Sequence, residues 1–180
     1  FQRAMAGLTE AKGPDPRDSF WSWRRLMYKF LDQLTPDDVE AIAALVFMEM
    51  LEAGYGAVAE FHYLHHGLGG VPYDTISEMS ERIVAASETT GIGLTLLPVL
   101  YQYGGCDLRP LNGGQQRFGN DVDRFLRLYE GAADAVAQSA ADAKIGVAPH
   151  SLRAVNPEGL RAVVEHANAG PIHMHLAEQV

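Results

Sequence analysis

Residues Gly93-Leu94-Thr95-Leu96-Leu97-Pro98-Val99-Leu100 decide how the rest of the chain is read. The run is short, apolar on consecutive positions after its glycine, and bounded by Gly91 before it and by Tyr101-Gln102-Tyr103-Gly104-Gly105 after it. A strand buried on both faces has that pattern, and such strands belong to parallel sheets whose crossovers are helices. The chain supplies the helices in alternation. Asp18 to Leu34 carries Phe20, Trp23, Leu26, Met27, Phe30 and Leu31 at helical spacing. Thr35-Pro36-Asp37-Asp38 opens a second helix that runs to about Leu51, with a capping hydroxyl, a proline in the first turn and two acids at the positive end of the dipole. Gly54 and Gly56 end it. A strand is predicted over Ala57 to Tyr63, a helix over Tyr73 to Thr89, and a helix over Asp121 to Ala140. A strand over Lys144 to Ala148, a helix over Pro157 to Ala169 and a strand over Pro171 to His175 complete the pattern.

Strands alternating with helices predict βαβ units and an α/β fold. Several of the strands end in polar or aromatic groups: Phe61-His62-Tyr63, Tyr101-Gln102-Tyr103, His150-Ser151 and His173-Met174-His175. Chemistry in such folds gathers at the C-terminal strand ends. Gly67-Leu68-Gly69-Gly70 opens no helix at the spacing a dinucleotide site needs, so a (β/α)8 barrel is the better expectation. A whole barrel takes about 250 residues. The 180 residues and four predicted strands therefore suit about half of one.

The bulk composition narrows the partners. The chain is 47% hydrophobic and 21% charged, with a net charge of −9 and a pI near 5.1. That balance argues against nucleic acid and against an anionic membrane surface. No apolar run reaches the length of a membrane span. A single cysteine, Cys106, leaves no intrachain disulfide and fits a reducing, cytoplasmic setting. The chain opens on Phe1-Gln2-Arg3 rather than on Met, and shows no signal peptide.

The densest chemistry lies in His173-Met174-His175-Leu176-Ala177-Glu178. In a strand, positions i and i+2 share a face, so the two imidazoles look the same way. Glu178 follows where a loop can return it toward a ligand of His175. A metal-held water with a carboxylate to move its proton needs such a set, against the plainer reading of a polar strand end. Arg153, in His150-Ser151-Leu152-Arg153, offers a planar fork for a carboxylate or else a surface ion pair, and His150 can donate to a substrate atom. The Phe61-to-His66 run reads as a polar loop at the barrel mouth. There Tyr63 faces substrate, while His65 and His66 hydrogen-bond the loop itself. His166 reads as a solvated helix histidine and Cys106 as a bystander thiol. Trp21 and Trp23 read as core or as a subunit contact in a homodimer. Arg24 and Arg25 read as solvated, against the alternative that one reaches an acidic substrate.

Taken together, four runs resemble the amidohydrolase superfamily. They are Ala59-Glu60-Phe61-His62-Tyr63-Leu64-His65-His66, Leu96-Leu97-Pro98-Val99-Leu100-Tyr101, Gly146-Val147-Ala148-Pro149-His150-Ser151-Leu152-Arg153-Ala154-Val155 and His173-Met174-His175-Leu176-Ala177-Glu178-Gln179. The likeness is greatest to the branch of formimidoylglutamate deiminases. It implies a partial (β/α)8 barrel of the metal-dependent type, with residues 1–180 lacking strand one and the strands after the fifth. His175 then matches a metal ligand and Glu178 the proton-transferring carboxylate. Gln2, Tyr63, His150 and Arg153 match the substrate contacts. The resemblance implies one divalent metal, zinc, and a small acyclic amino-acid dicarboxylate as substrate, hydrolysed with release of ammonia. It also implies that a strand-one His-x-His, a strand-six histidine and a strand-eight aspartate lie outside these residues, so that activity belongs to a longer parent. The rival expectations are an aminohydrolase for a purine, pyrimidine or triazine ring, and a non-catalytic barrel fragment.

Overall fold

The computed structural model describes residues 1–8, 20–167 and 170–178, with the backbone alone at 20–22. Its elements are α1 (Phe20–Leu31), α2 (Pro36–Glu52), β1 (Ala57–His62), α3 (Glu78–Thr90), β2 (Gly93–Leu100), α4 (Val122–Gln138), β3 (Ala143–Ile145), β4 (Ala148–Pro149) and α5 (Pro157–His166). All described strand pairs are parallel, in the order β1-β2-β3, with β4 also on β2. The α/β expectation and the strand over Gly93–Leu100 hold without change.

Helix boundaries follow the local chemistry. The Thr35 hydroxyl accepts from the Asp38 amide while the Asp38 carboxylate accepts from Thr35, a reciprocal capping box at α2. Asp121 caps α4 and Asn156 caps α5 in the same sense. Gly91, at φ 79°, closes α3 in the left-handed conformation that glycine adopts without strain. The helix expected from Tyr73 starts only at Glu78, because Asp74-Thr75-Ile76-Ser77 forms a turn. Of the first expected helix, residues 18–19 lie outside the described set, as do 168–169 of the last, which ends at His166.

Two expected strands are altered, and proline is the cause in each. Toward β3, the ladder of β2 is held by the even positions. Leu94 N–H donates to Asp142 O, Gly146 N–H to Leu96 O, and His150 N–H to Leu100 O. Pro98 stands at the next such place and has no N–H to give. The expected strand Lys144–Ala148 is therefore two pieces, β3 and β4, in one unslipped register: Leu96 faces Ile145 and Val99 faces Ala148. The expected strand Pro171–His175 reduces to one bridge, Ile172 to Val147. Val147 N–H donates to Pro171 O and His173 N–H to Val147 O. Pro149 then has no N–H for His173 O, and His175 N–H turns to His150 O.

Alternation along the strands sorts side chains onto two faces. Leu94 and Leu96 enter the core with Phe47, Met79 and Ile83. Leu100 and Val147 pack with Phe125, Tyr129 and Val163. The opposite face carries Leu97, Val99 and Ala148, with Phe61 and Tyr63 against them. Burying a leucine or valine fully is worth about 1.5–3 kcal/mol, so β2 alone anchors the sheet to both layers. Among the described residues no helix is long and apolar enough to cross a membrane.

Candidate active site

The inner face places the predicted site residues together at the C-terminal strand ends. Phe61 is at the centre. Its ring lies 4.7 Å from that of His175, 5.5 Å from His173, 5.9 Å from His150 and 6.1 Å from Tyr63. His150 and His175 are themselves 4.9 Å apart, ring to ring. The two imidazoles of the His-x-His run thus share one face, as the spacing predicts. Gln2, from a short 3-10 turn at Gln2–Met5, donates its amide to the Tyr63 hydroxyl at 2.8 Å.

Arg153 closes the other side. Its Nε and Nη2 donate to the two oxygens of Glu178 at 3.1 and 2.8 Å, a bidentate pair. Nη1 donates to the Tyr101 hydroxyl at 3.0 Å. The Arg153 side chain is 12% exposed and that of Glu178 25%. Burial works against both charges, but their mutual hydrogen bonds outweigh it. The Arg153 guanidinium is held charged beyond its ordinary range and the Glu178 carboxyl is drawn below its own. Arg153 is thus in an ion pair, as the plainer reading had it, with its own side chain largely covered and Glu178 at the exposed rim of the cleft.

Burial pushes His150 down to about 3, the nearby cations adding to the effect and Glu178 opposing it. At neutral pH it is a neutral imidazole, with Nδ1 beside the Ser151 hydroxyl at 3.0 Å. Burial also raises Tyr63, with the Glu60 charge acting in the same direction, so it remains a protonated phenol. The site therefore offers a neutral donor-acceptor, a phenol, an amide, a guanidinium and a carboxylate around one aromatic wall.

Three expectations need correction. The run His62 to His66 is no open polar loop. His62, His65 and His66 are 4%, 1% and 0% exposed. Because Phe61 and Tyr63 point inward, His62 points the other way, toward the helices. His65 pairs through Nε2 with Val99 O at 2.9 Å and His66 with Asn120 Oδ1 at 2.8 Å, so their partners lie on β2 and the loop after it. Arg24 is half-buried and donates to Tyr28 at 2.7 Å rather than standing in solvent, whereas Arg25 is exposed. His166 is exposed as expected, yet it closes α5 instead of lying within it, against Tyr129. Cys106 is exposed and Trp23 packs on the core; the Trp21 side chain is outside the described set.

Two residues of consequence were given no role by the sequence reading. Arg117 is buried, and its guanidinium donates to the carbonyls of His66, Leu31 and Leu34. It ties the end of α1 to the segment that follows Tyr63. Tyr101 is 3% exposed and touches both Arg153 and His150. Its place at a strand end, inside the Leu96–Tyr101 run that resembles the family, was the signal available in the sequence.

A parallel sheet with a strand-end cleft of this composition belongs to a known class. The model of the amidohydrolase family matches residues 6–179, and the chain belongs to that family. It is 47% identical, over 99% of its own length and 39% of the relative's, to a formimidoylglutamate deiminase of Pseudomonas aeruginosa. It is 25% identical over 95% of its length, and 37% of the relative's, to an 8-oxoguanine deaminase of the same organism. Among solved structures, an amidohydrolase from Brucella melitensis superposes with a TM-score of 0.93 at 51% identity, over 99% of this chain and 40% of that one. An adenosine deaminase from Xanthomonas campestris with bound zinc superposes at 0.63 with 16% identity, over 89% of this chain and 31% of that one, which shows the shared fold alone. The chain thus spans about two fifths of the curated relatives it matches.

The residues fit a metal only in part. Among the described residues no three His, Cys, Asp or Glu side chains are placed to hold an ion. His175 is exposed beside Phe61 and His150, and no described residue engages its ring nitrogens. It suits one ligand of the three that a catalytic zinc takes from protein.

Proposed function

We propose that residues 1–180 form strands two to five of a single amidohydrolase barrel domain, and that the parent protein hydrolyses N-formimino-L-glutamate to N-formyl-L-glutamate and ammonia. The observation that carries this reading is the convergence of Gln2 with Tyr63, His175 with His150, and Arg153 with Glu178 on one cleft. The 47% identity to a formimidoylglutamate deiminase along nearly the whole chain supports the substrate. One divalent metal, zinc by preference, would be held by His175 with ligands outside these residues, and would make water nucleophilic near neutrality.

The chain's own residues then divide the work. Arg153, Gln2 and Tyr63 hold the substrate carboxylates, supplying local positive charge and donors in a protein whose overall charge repels a dianion. Neutral His150 donates to a polar atom of the formimino group. The Nε/Nη2 edge of Arg153 cannot serve Glu178 and a substrate carboxylate in bidentate fashion at once. Substrate entry therefore exchanges carboxylates on that edge and releases Glu178 to carry a proton to the departing nitrogen. The same reading assigns the parent to histidine breakdown and to the cytoplasm, a setting with which the lone Cys106 of these residues agrees.

The test is Arg153→Met in the full-length parent, assayed with N-formimino-L-glutamate and with an analogue lacking the α-carboxylate. Truncating a buried charged contact costs about 2–5 kcal/mol, so kcat/KM for the dicarboxylate should fall by roughly 30-fold or more. The analogue should be nearly indifferent. Equal damage to both would make Arg153 structural and remove the case for an acyclic substrate over a heterocyclic one.

A further inference from the structure

Tyr101 follows β2 and stands between Arg153 and His150. Its hydroxyl oxygen accepts from Arg153 Nη1 at 3.0 Å and from the Gln115 amide at 3.2 Å. Two donors thus converge on the one phenol oxygen. Gln115 is itself fixed by the box that opens the 3-10 segment Gly113–Phe118, where its carbonyl oxygen accepts from the Asn112 amide. The Tyr101 ring stands edge-on to His150 at 4.5 Å and to Phe118 at 5.9 Å. Its backbone is tied as well, with Asn120 N–H donating to Tyr101 O. The next two amides, Gln102 and Tyr103, donate to Ala154 O beside Arg153.

The consequence lies in which edge of the guanidinium is free. A guanidinium presents two edges able to grip a carboxylate side by side, one of them Nε with Nη2. Tyr101 engages Nη1, and so turns the Nε/Nη2 edge into the cleft, where Glu178 now occupies it. With the hydroxyl gone, Nη1 would be free to rotate toward any carboxylate, and the grip would lose its fixed plane.

We propose that Tyr101 is a positioning residue for carboxylate recognition: through its hydroxyl it selects the edge of Arg153 offered to the substrate. It does not itself touch the reacting atoms. The inference rests on Arg153 gripping a substrate carboxylate, as proposed above.

The experiment is a double-mutant cycle in the full-length parent. Tyr101→Phe keeps the ring against His150 and Phe118 and deletes only the hydroxyl. KM for N-formimino-L-glutamate should rise about tenfold with kcat within about twofold, and the Kd of glutarate, used as a plain dicarboxylate probe, should rise in parallel. Combined with Arg153→Met, the Tyr101→Phe effect should disappear, because there is no guanidinium left to orient. A Tyr101→Phe loss that persists undiminished in the Arg153→Met background, or that falls on kcat alone, overturns the inference while leaving the proposed function standing. No loss from Arg153→Met by itself overturns both. Should Tyr101→Phe melt early, Gln115→Met, which loosens the same hydroxyl from behind, should raise KM about threefold. An unchanged KM there overturns the inference as well.

Discussion

Acidification should destabilise this fold well before its carboxylates titrate. The buried histidines behind β1 are the cause. Burial pushes His62 down to about 3 and His66 to about 4, from an ordinary 6.5. For His62, an imidazole next to it at 5.2 Å between ring centres has its own value pulled well below normal by the same burial: His65. Their Nε2, Nδ1 and Nδ1 atoms, on His62, His65 and His66 in turn, meet no partner that a new proton could use. A depressed folded value means that the unfolded chain binds the proton first. Stability is therefore full above pH 6.5 and falls as pH drops from there toward the folded values. Between pH 8 and about pH 5.5, each of His62 and His66 removes about 1.4 kcal/mol, or roughly 3 kcal/mol together. His65 behind β1 and His150 in the cleft add to that in the same direction. Domains of this kind hold about 5–15 kcal/mol in all, so the change is large. The lowered carboxyls, such as Asp38 and Glu178, act only below this window. Glu60, raised by burial, opposes the trend. Urea unfolding of the purified parent at the two pH values measures the difference. His66→Gln should remove about 1.4 kcal/mol of the pH dependence. A free energy of unfolding that is flat over this interval, or a His66→Gln protein with an unchanged slope, would refute the argument.

Glu178→Gln keeps the shape of the side chain and removes its titrating proton. In the parent, kcat should fall by roughly 100-fold or more with little change in KM, read from steady-state kinetics. Gly146→Ala addresses the seat of the histidine pair. A β-carbon there would overlap Pro171 O and press on Leu97 Cδ2, displacing the segment that carries His173 and His175. Overpacking of this kind costs about 1–3 kcal/mol, so thermal melting should move down by several degrees and metal content should drop with it. A melt and a metal content equal to the unaltered protein would show that the backbone there yields freely.

The order of helices and strands was legible in the chain because it rests on local chemistry. Thr35, Asp121 and Gly91 act on backbone groups a few residues away, and Leu94 to Leu100 must be buried wherever the strand goes. The same locality fixed that His173 and His175 look one way, since strand alternation needs no partner. The breaks at Pro98 and Pro149 were not legible. A proline removes one donor in any context, but only the pairing of β2 with β3, and of Val147 with the His173 segment, decides which bond is lost. The burial of His62, His65 and His66 was likewise set by the loop after β2, which brings Asn120 and Arg117 over them across more than fifty residues of chain. Most residue types of the candidate site can thus be read from sequence, because Tyr63, His150 and His175 sit at or just past strand ends, whereas Gln2 lies on a 3-10 turn and was named by resemblance alone. Their partners cannot: that Arg153 faces Glu178 rather than solvent, with Tyr101 choosing the edge, depends on three separate strand ends meeting on one side of a sheet, which packing alone arranges.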